Sequence, residues 1–229
     1  AKGQVGAYSD GNIYVQGTKD RINEVFNSHT TKRFGGVKYG SKHDYVNSKA
    51  ERYRHTQLYG EAGITLDSEG KLRVEGADVQ SYGNVLLRGK QGVEILPGEE
   101  INSRYEEHTS KKFKISGNKN GVFAGIEKNK NTTGTESIKN VGSIINSHAG
   151  TVTVTGDHII SIGSKIGAAG DITLDGAHGV VVKDGENLSV IREQNEKMRV
   201  GAFATWNGKR LSASAGFEAT YGKNKNGRV

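Results

Sequence analysis

The sequence predicts an all-β fold, a β-solenoid from which polar segments protrude as hairpins, and three observations carry that expectation. Residues 170–186, GDITLDGAHGVVVKDGE, hold two short apolar runs, Ile172–Leu174 and Val180–Val182, separated by glycine-bearing turns. Runs of three or four residues are too short for a helix, and glycine tolerates the positive φ of a tight corner. The same unit stands 87 residues upstream without a gap, as GNVLLRGKQGVEILPGE, with Gly83/Gly170, Gly89/Gly176, Gly92/Gly179 and Gly98/Gly185 in register. Repetition at a fixed period is the signature of stacked-repeat architectures. Finally, only 33% of the 229 residues are hydrophobic, while 33 are glycine. That is lean for a globule but sufficient for a rod, where each coil buries a thin inner line of aliphatics against its neighbours.

Taken in order, Gln4–Tyr8, Ile13–Gln16 and Arg21–Phe26 read as opening strands around an Asp10-Gly11-Asn12 turn, and 11–17 repeats the second half of the unit. From Asn27 to Gln57, polar and basic residues alternate with Phe34, Val37, Tyr39, Tyr45 and Tyr53, which predicts two strands around Gly40-Ser41 that leave the stack. Rungs return as Ile64–Leu66, Leu72–Val74, Val79, Val85–Leu87, Val93–Leu96 and Ile101. Residues 102–140 restate the basic segment. His108–Lys112 echoes His29–Arg33 at a spacing of 79, and Asn120-Gly121 marks a hairpin between 113–116 and 122–127.

A third run of rungs covers 141–191. There Gly70/Gly150 and Gly76/Gly156 align at a spacing of 80 and later glycines at 87, which implies seven extra residues between Gly156 and Gly170. The tail repeats the basic segment, with Asn207-Gly208 as its hairpin signal. Ala215–Glu218 echoes Ala124–Glu127, and Lys223–Asn226 echoes Lys128–Asn131. Residues 186–200 permit either a short helix, with Leu188, Ile191 and Met198 inward, or a strand. The counterpart 99–112, with Pro97 before it and Thr109-Ser110 within, favours strand or irregular structure. The expected organisation is one continuous solenoid over 1–229, in blocks 1–58, 59–140 and 141–229, with basic hairpin segments at 27–57, 102–140 and 192–229.

The chain has no cysteine, which excludes a disulfide framework but not extracellular residence. No apolar stretch approaches the roughly 20 residues that span a bilayer, and no basic-then-apolar leader opens the chain. It starts and stops mid-pattern without the polar caps that solenoids use, and so reads as a monomeric piece of a longer repeat protein. The net charge of +7 is unevenly spread. The three basic segments carry 22 Lys and Arg against 7 acids (counted over 27–57, 102–140 and 197–229), a surplus of +15, which leaves −8 on the rungs.

Glycine-cornered rungs followed by a polar Thr/Ser-Lys-Lys segment, repeating every 80 to 87 residues, resemble the haemagglutinin repeat of very large bacterial exoproteins secreted by the two-partner (type Vb) route. The residues that carry the likeness are 150–156 (GTVTVTG), 167–176 (GAAGDITLDG) and the basic stretches 29–33 and 108–112. The family includes filamentous haemagglutinin adhesins and contact-dependent growth inhibition exoproteins. The resemblance implies a right-handed parallel β-helix, secreted through an outer-membrane transporter partner to the bacterial surface. It further implies a role in delivering a C-terminal toxin into a contacted target cell or, alternatively, in the shaft of an adhesin. The irregular basic hairpins favour the toxin-delivery region.

Chemistry beyond this is sparse. None of the seven histidines (His29, His43, His55, His108, His148, His158, His178) pairs at helical spacing, so they read as exposed turn residues rather than zinc ligands. Glu99 and Glu186 occupy equivalent repeat positions, but glycosidases need carboxyls roughly 5 to 9 Å apart. Residues 87 apart lie several rungs away at about 5 Å per rung. Asp157, Asp171, Asp175 and Asp184 sit at glycine turns, where Asp bonds its own backbone. No phosphate loop, nucleophile elbow or dinucleotide fingerprint is present. The expectation is a non-enzymatic chain with no cofactor and no metal.

That leaves the basic segments as the candidate site. Lys32, Arg33, Lys111, Lys112, Lys114, Lys119, Lys223 and Lys225 are the candidate contacts to an anionic target-cell surface such as lipopolysaccharide. Interleaved aromatics also suit nucleic-acid stacking, though no specific nucleic-acid partner is expected. The plainer reading is a solvated hairpin whose aromatics pack on the stack and whose lysines discourage edge-to-edge association.

Overall fold

Within each short run, apolar residues two apart point the same way, so a coil can turn them all inward and stack them on the next. That is the arrangement in the computed structural model, which describes residues 2–118, 121–206 and 208–228. The first coil runs through β1 (Gln4–Ser9) and β2 (Ile13–Gln16), leaves the stack as a long hairpin of β3 (Thr18–Phe34) and β4 (Val37–Arg54), and returns at β5 (Thr56–Gly60). The second has no insertion: β6 (Gly63–Ser68), β7 (Lys71–Glu75), β8 (Ala77–Ser81). The third comprises β9 (Asn84–Gly89) and β10 (Gly92–Leu96), a hairpin of β11 (Gly98–Asn118) and β12 (Gly121–Val141), then β13 (Ile144–Ser147). The fourth is plain again: β14 (Val152–Gly156), β15 (Ile159–Ile162), β16 (Lys165–Ala168). The fifth has β17 (Ile172–Gly176) and β18 (Val180–Lys183), and departs as β19 (Leu188–Trp206) and β20 (Leu211–Arg228).

Three parallel sheets form the faces of the helix, in the orders β1-β6-β9-β14-β17, β2-β7-β10-β15-β18 and β5-β8-β13-β16. Within each, equivalent side chains form ladders. Val5, Ile64, Val85, Val152 and Ile172 stack on the first face, and Ile13, Leu72, Val93, Ile159 and Val180 on the second. Ile64, Leu72, Val85, Val93, Val152 and Ile159 are fully buried. At about 25 cal/mol per Å2 of apolar surface removed from water, these ladders drive the stacking. Corner serines are buried but satisfied: the hydroxyls of Ser81, Ser143 and Ser147 donate to the carbonyls of Gly60 (2.6 Å), Leu96 (2.8 Å) and Gly83 (2.8 Å).

Glycine is required where coils turn or touch. Gly92 and Gly179, equivalent residues opening β10 and the loop into β18, hold φ of 129° and 125°. At Gly150 an added Cβ would overlap the Asn84 side chain of the coil below. Gly150 stacks between Gly83 and Gly170, its carbonyl accepting from the Gly170 amide at 2.9 Å. The structural partners of Gly156 are therefore Gly89 and Gly176. The 80-residue alignment of Gly70 with Gly150 and Gly76 with Gly156 joins unlike corners, and no seven-residue insertion separates Gly156 from Gly170.

The three insertions leave from the same corner, on alternate coils, and assemble one six-stranded antiparallel sheet, β3-β4-β11-β12-β19-β20. Spacing explains the alternation. A hairpin is two strands high, about 9.6 Å, which equals the rise of two coils at about 4.8 Å each. One hairpin per two coils therefore tiles a continuous sheet. At about 3.4 Å per residue its strands reach roughly 60–70 Å from the helix.

This corrects several expectations. The insertions begin well before the basic stretches, at 18–54, 98–141 and 188–228, so Arg21–Phe26, Ile101 and Ile191 belong to the lateral sheet rather than to rungs. Gly40-Ser41 lies within β4, and the first turn is Gly35-Gly36, both at positive φ. Residues 188–200 are strand. His29, His43 and His108 sit on long strands, not turns.

Candidate functional site: the lateral sheet

With structural bounds, the charge asymmetry persists. The three insertions carry 25 Lys and Arg against 13 acids, or +12, and the helix carries 7 against 12, or −5. Register decides what that charge faces. Lys32, Gly40, Lys112, Glu127, Arg199 and Glu218 form one row across the sheet. The offsets are 80 from β3 to β11 and 87 from β11 to β19. The sequence echo at 79 is one residue out of register, and such a slip moves a side chain to the other face. Ala215–Glu218 does align with Ala124–Glu127 across the sheet, whereas Lys223–Asn226 does not align with Lys128–Asn131.

On the face of that row lies a small core. Glu127 is only 2% exposed and is ringed by Lys114 Nζ at 3.2 Å, Lys112 Nζ at 3.8 Å, Lys197 Nζ at 3.5 Å and Arg199 Nε at 3.0 Å. Burial alone would push its carboxyl up. Hydrogen bonds from Lys114, Arg199 and Asn129, with the Lys114 charge, outweigh that and hold it down at about 2. The Arg199 guanidinium sits 5.4 Å above the Phe123 ring centre, and Phe123 stands 5.0 Å from Phe203. The Phe123 ring covers Gly125, where a Cβ would touch it, a glycine shielded by an aromatic neighbour. A sheet one layer thick thus obtains a packed interior on one side.

The candidate cations divide accordingly. Lys112 and Lys114 are committed to Glu127. Lys111, one residue along, faces the opposite side. Lys32, Arg33 and Lys111 are exposed and have no ion-pair partner among the described residues. Lys223 lies on the outermost strand with its ammonium 5.3 Å above the Tyr221 ring. Lys225 pairs through its backbone with Arg192. Lys119, Asn120 and Asn207 lie outside the described residues.

The aromatics do not pack on the stack as expected. Phe34, Tyr39, Phe113, Trp206 and Tyr221 are exposed on the lateral sheet. Tyr53 is the exception. Its ring is buried at the sheet's root against Gly17, Gly76 and Gly98, its hydroxyl donating to the Glu75 carbonyl at 2.8 Å and accepting from the Gly17 amide at 2.9 Å. Nearby, Glu99 and Glu186 line one cleft of about 700 Å3 with Lys19, Arg73, Lys183 and Asn140. It carries cations as well as carboxylates. Asp157 is not merely a turn residue: His178 and His158 both bond it and lower its pKa.

A parallel β-helix with glycine corners and a laterally repeated hairpin defines a repeat rod. The chain belongs to the hemagglutinin repeat family, whose model matches residues 36–124 and 124–229. Those matches begin at or near sheet tips and share the two-coil period, so the family unit contains strands from two neighbouring hairpins. No curated relative matches the chain. Membership places it among the segments of filamentous haemagglutinin-like proteins, a family that suggests a secreted or cell-surface bacterial adhesin.

Proposed function

We propose that this chain is a non-enzymatic segment of a two-partner-secreted exoprotein, the helix serving as rigid shaft and the lateral sheet as the surface that meets an anionic cell envelope. The observation that carries this is the charge division, +12 on the sheet against −5 on the shaft, with Lys32, Arg33 and Lys111 exposed and, among the described residues, without an ion-pair partner. Charge-driven contact is screened by salt: the Debye length falls from about 10 Å at 0.1 M to about 3 Å at 1 M. The test is binding of the chain to lipopolysaccharide-bearing cells across that range, for the natural sequence and a Lys32→Glu/Arg33→Glu/Lys111→Glu variant. Salt-sensitive binding weakened by the variant supports the reading. Binding indifferent to both overturns it.

A second reading, delivery of a C-terminal toxin into the contacted cell, draws support from the sheet itself, since a plain spacer needs no lateral structure of this size. In-frame deletion of the segment from its parent, scored separately for adhesion and for killing, separates the two. Lost killing with adhesion intact favours delivery; lost adhesion favours the shaft.

A further inference from the structure

The face opposite Glu127 is apolar over its outer part. Row by row, Phe113, Ile126, Val200 and Phe217 are neighbours, then Ile115, Ala124, Ala202 and Ala215, then Gly117, Val122, Ala204 and Ala213. These twelve positions include no polar side chain. They lie open: Ile115 is 69% exposed, Phe217 60%, Phe113 54%. Trp206 and Leu211 continue the same face outward. With strands about 4.8 Å apart and same-face residues about 6.8 Å apart, the twelve positions span about 390 Å2, and about 460 Å2 with Trp206 and Leu211. An apolar patch of this size is often a functional surface.

We propose that this face is a self-association surface, packing against the same face of a second copy of the chain. Area and shape both point there. Two such patches cover about 900 Å2 of sheet together, close to the roughly 1,000 Å2 of a specific interface. The surface is also stepped. A ridge of large residues in the Phe113 row stands beside two rows that are small over β19 and β20, with Ala202, Ala204, Ala213 and Ala215, and that carry Ile115 and Val122 beside Gly117 and Ala124 over β11 and β12. A two-fold axis lying along the Ile115 row brings the ridge of each copy over the Gly117 row of the other. Phe113 then faces Gly117, Val200 faces Ala204 and Phe217 faces Ala213, large against small, while Ile126 meets Val122 and Ile115 meets its own copy on the axis. Charge agrees. The row holding Lys111 and Lys128 is the first cationic one inward, and in this arrangement the two copies of it stand about 27 Å apart, beyond the Debye length of about 8 Å at physiological salt. The two helices then lie at opposite ends of overlapped sheets, so the contact links shafts side by side.

The test is the molar mass of the 229-residue chain in solution by light scattering across a concentration series. It is run for the natural sequence and for Ala202→Glu and Ala215→Glu, exposed positions whose far-UV circular dichroism should match the parent. Flotation with phosphatidylethanolamine vesicles containing phosphatidylglycerol runs in parallel. The expected result is a dimer whose dissociation constant rises at least about tenfold in either variant, as for central interface positions. A dimer that survives both substitutions is strand-edge pairing through β20 and overturns the proposal. A chain that stays monomeric also overturns it, whether or not it floats with vesicles.

Discussion

The Tyr53 hydroxyl donates to the main-chain carbonyl of Glu75 at 2.8 Å, joining the root end of β4 in the first lateral hairpin to the second coil of the helix. The Gly17 amide bonds the same two oxygens, to Tyr53 Oη at 2.9 Å and to the Glu75 carbonyl at 3.2 Å. Three glycines leave room for the ring. The sheet is therefore pinned at its root by a buried, fully satisfied phenol rather than hinged on a linker.

Tyr53→Phe should cost about 1–2 kcal/mol, since it leaves the Gly17 amide short of one buried acceptor while keeping the ring. Tyr53→Ala should cost about 3–5 kcal/mol. Limited proteolysis should show the first hairpin released while the helix rungs stay protected. Equal protection in Tyr53→Ala would remove the pinning role.

Alkali acts at the same point. Burial raises the Tyr53 pKa above its ordinary value, only partly offset by the Gly17 amide. A folded-state pKa above the unfolded one contributes stability that is present below pH 10 and lost as pH rises through the folded value. Protection of the sheet root should fall above about pH 10 in the natural chain, and Tyr53→Phe should blunt that alkaline loss.

Acid acts farther out. Glu127 is held at about 2 against an ordinary 4.5, so its contribution is present above pH 4.5 and lost as pH falls toward 2. Hydrogen exchange at the amides of β12 and β19 should accelerate over that interval, ahead of the helix core. Glu127→Gln, leaving Lys114 and Arg199 without their shared anion, should cost about 2 kcal/mol at neutral pH and flatten the acid response.

Core and register can be tested separately. Leu87→Ala in the middle of its ladder should cost about 3 kcal/mol and lower the melting temperature without changing the sheet's register. Deleting residues 61–81, one complete coil of 21 residues, should leave a helix that still stacks. It places the first two hairpins one rung apart, where two strands need twice that height. Retained β-content with a protease-sensitive lateral sheet is the expected outcome; an intact sheet would refute the tiling rule.

Much of the helix was legible in the sequence. Gly83, Gly89 and Gly92 recur at Gly170, Gly176 and Gly179 because each coil meets its corner at the same place. The inward aliphatics, Val85 and Leu87 or Val93 and Ile95, alternate at strand period. The solenoid, its rungs and the basic inserts follow from those local patterns. In 111–116, KKFKIS, composition alone shows a basic stretch around Phe113. Its alternation from Lys112 onward was the available signal for a two-faced strand, with Lys112 and Lys114 on one side and Phe113 and Ile115 on the other.

What the sequence by itself determined is therefore the repeat: corner glycines, inward aliphatics at strand period and the presence of hairpins at intervals of 80 to 87 residues. What only the tertiary structure decided is how those hairpins meet. Whether Arg33 or Lys32 shares a row with Lys112 depends on a single residue of register, which pairing between strands far apart in sequence sets. Only that pairing encloses Glu127 among four cations and gathers Phe113, Ile126, Val200 and Phe217 on one face. Alternation assigns each side chain a side of its own strand, but a shared face exists only once separate strands are locked at one height, and the two-coil rise of the helix does that.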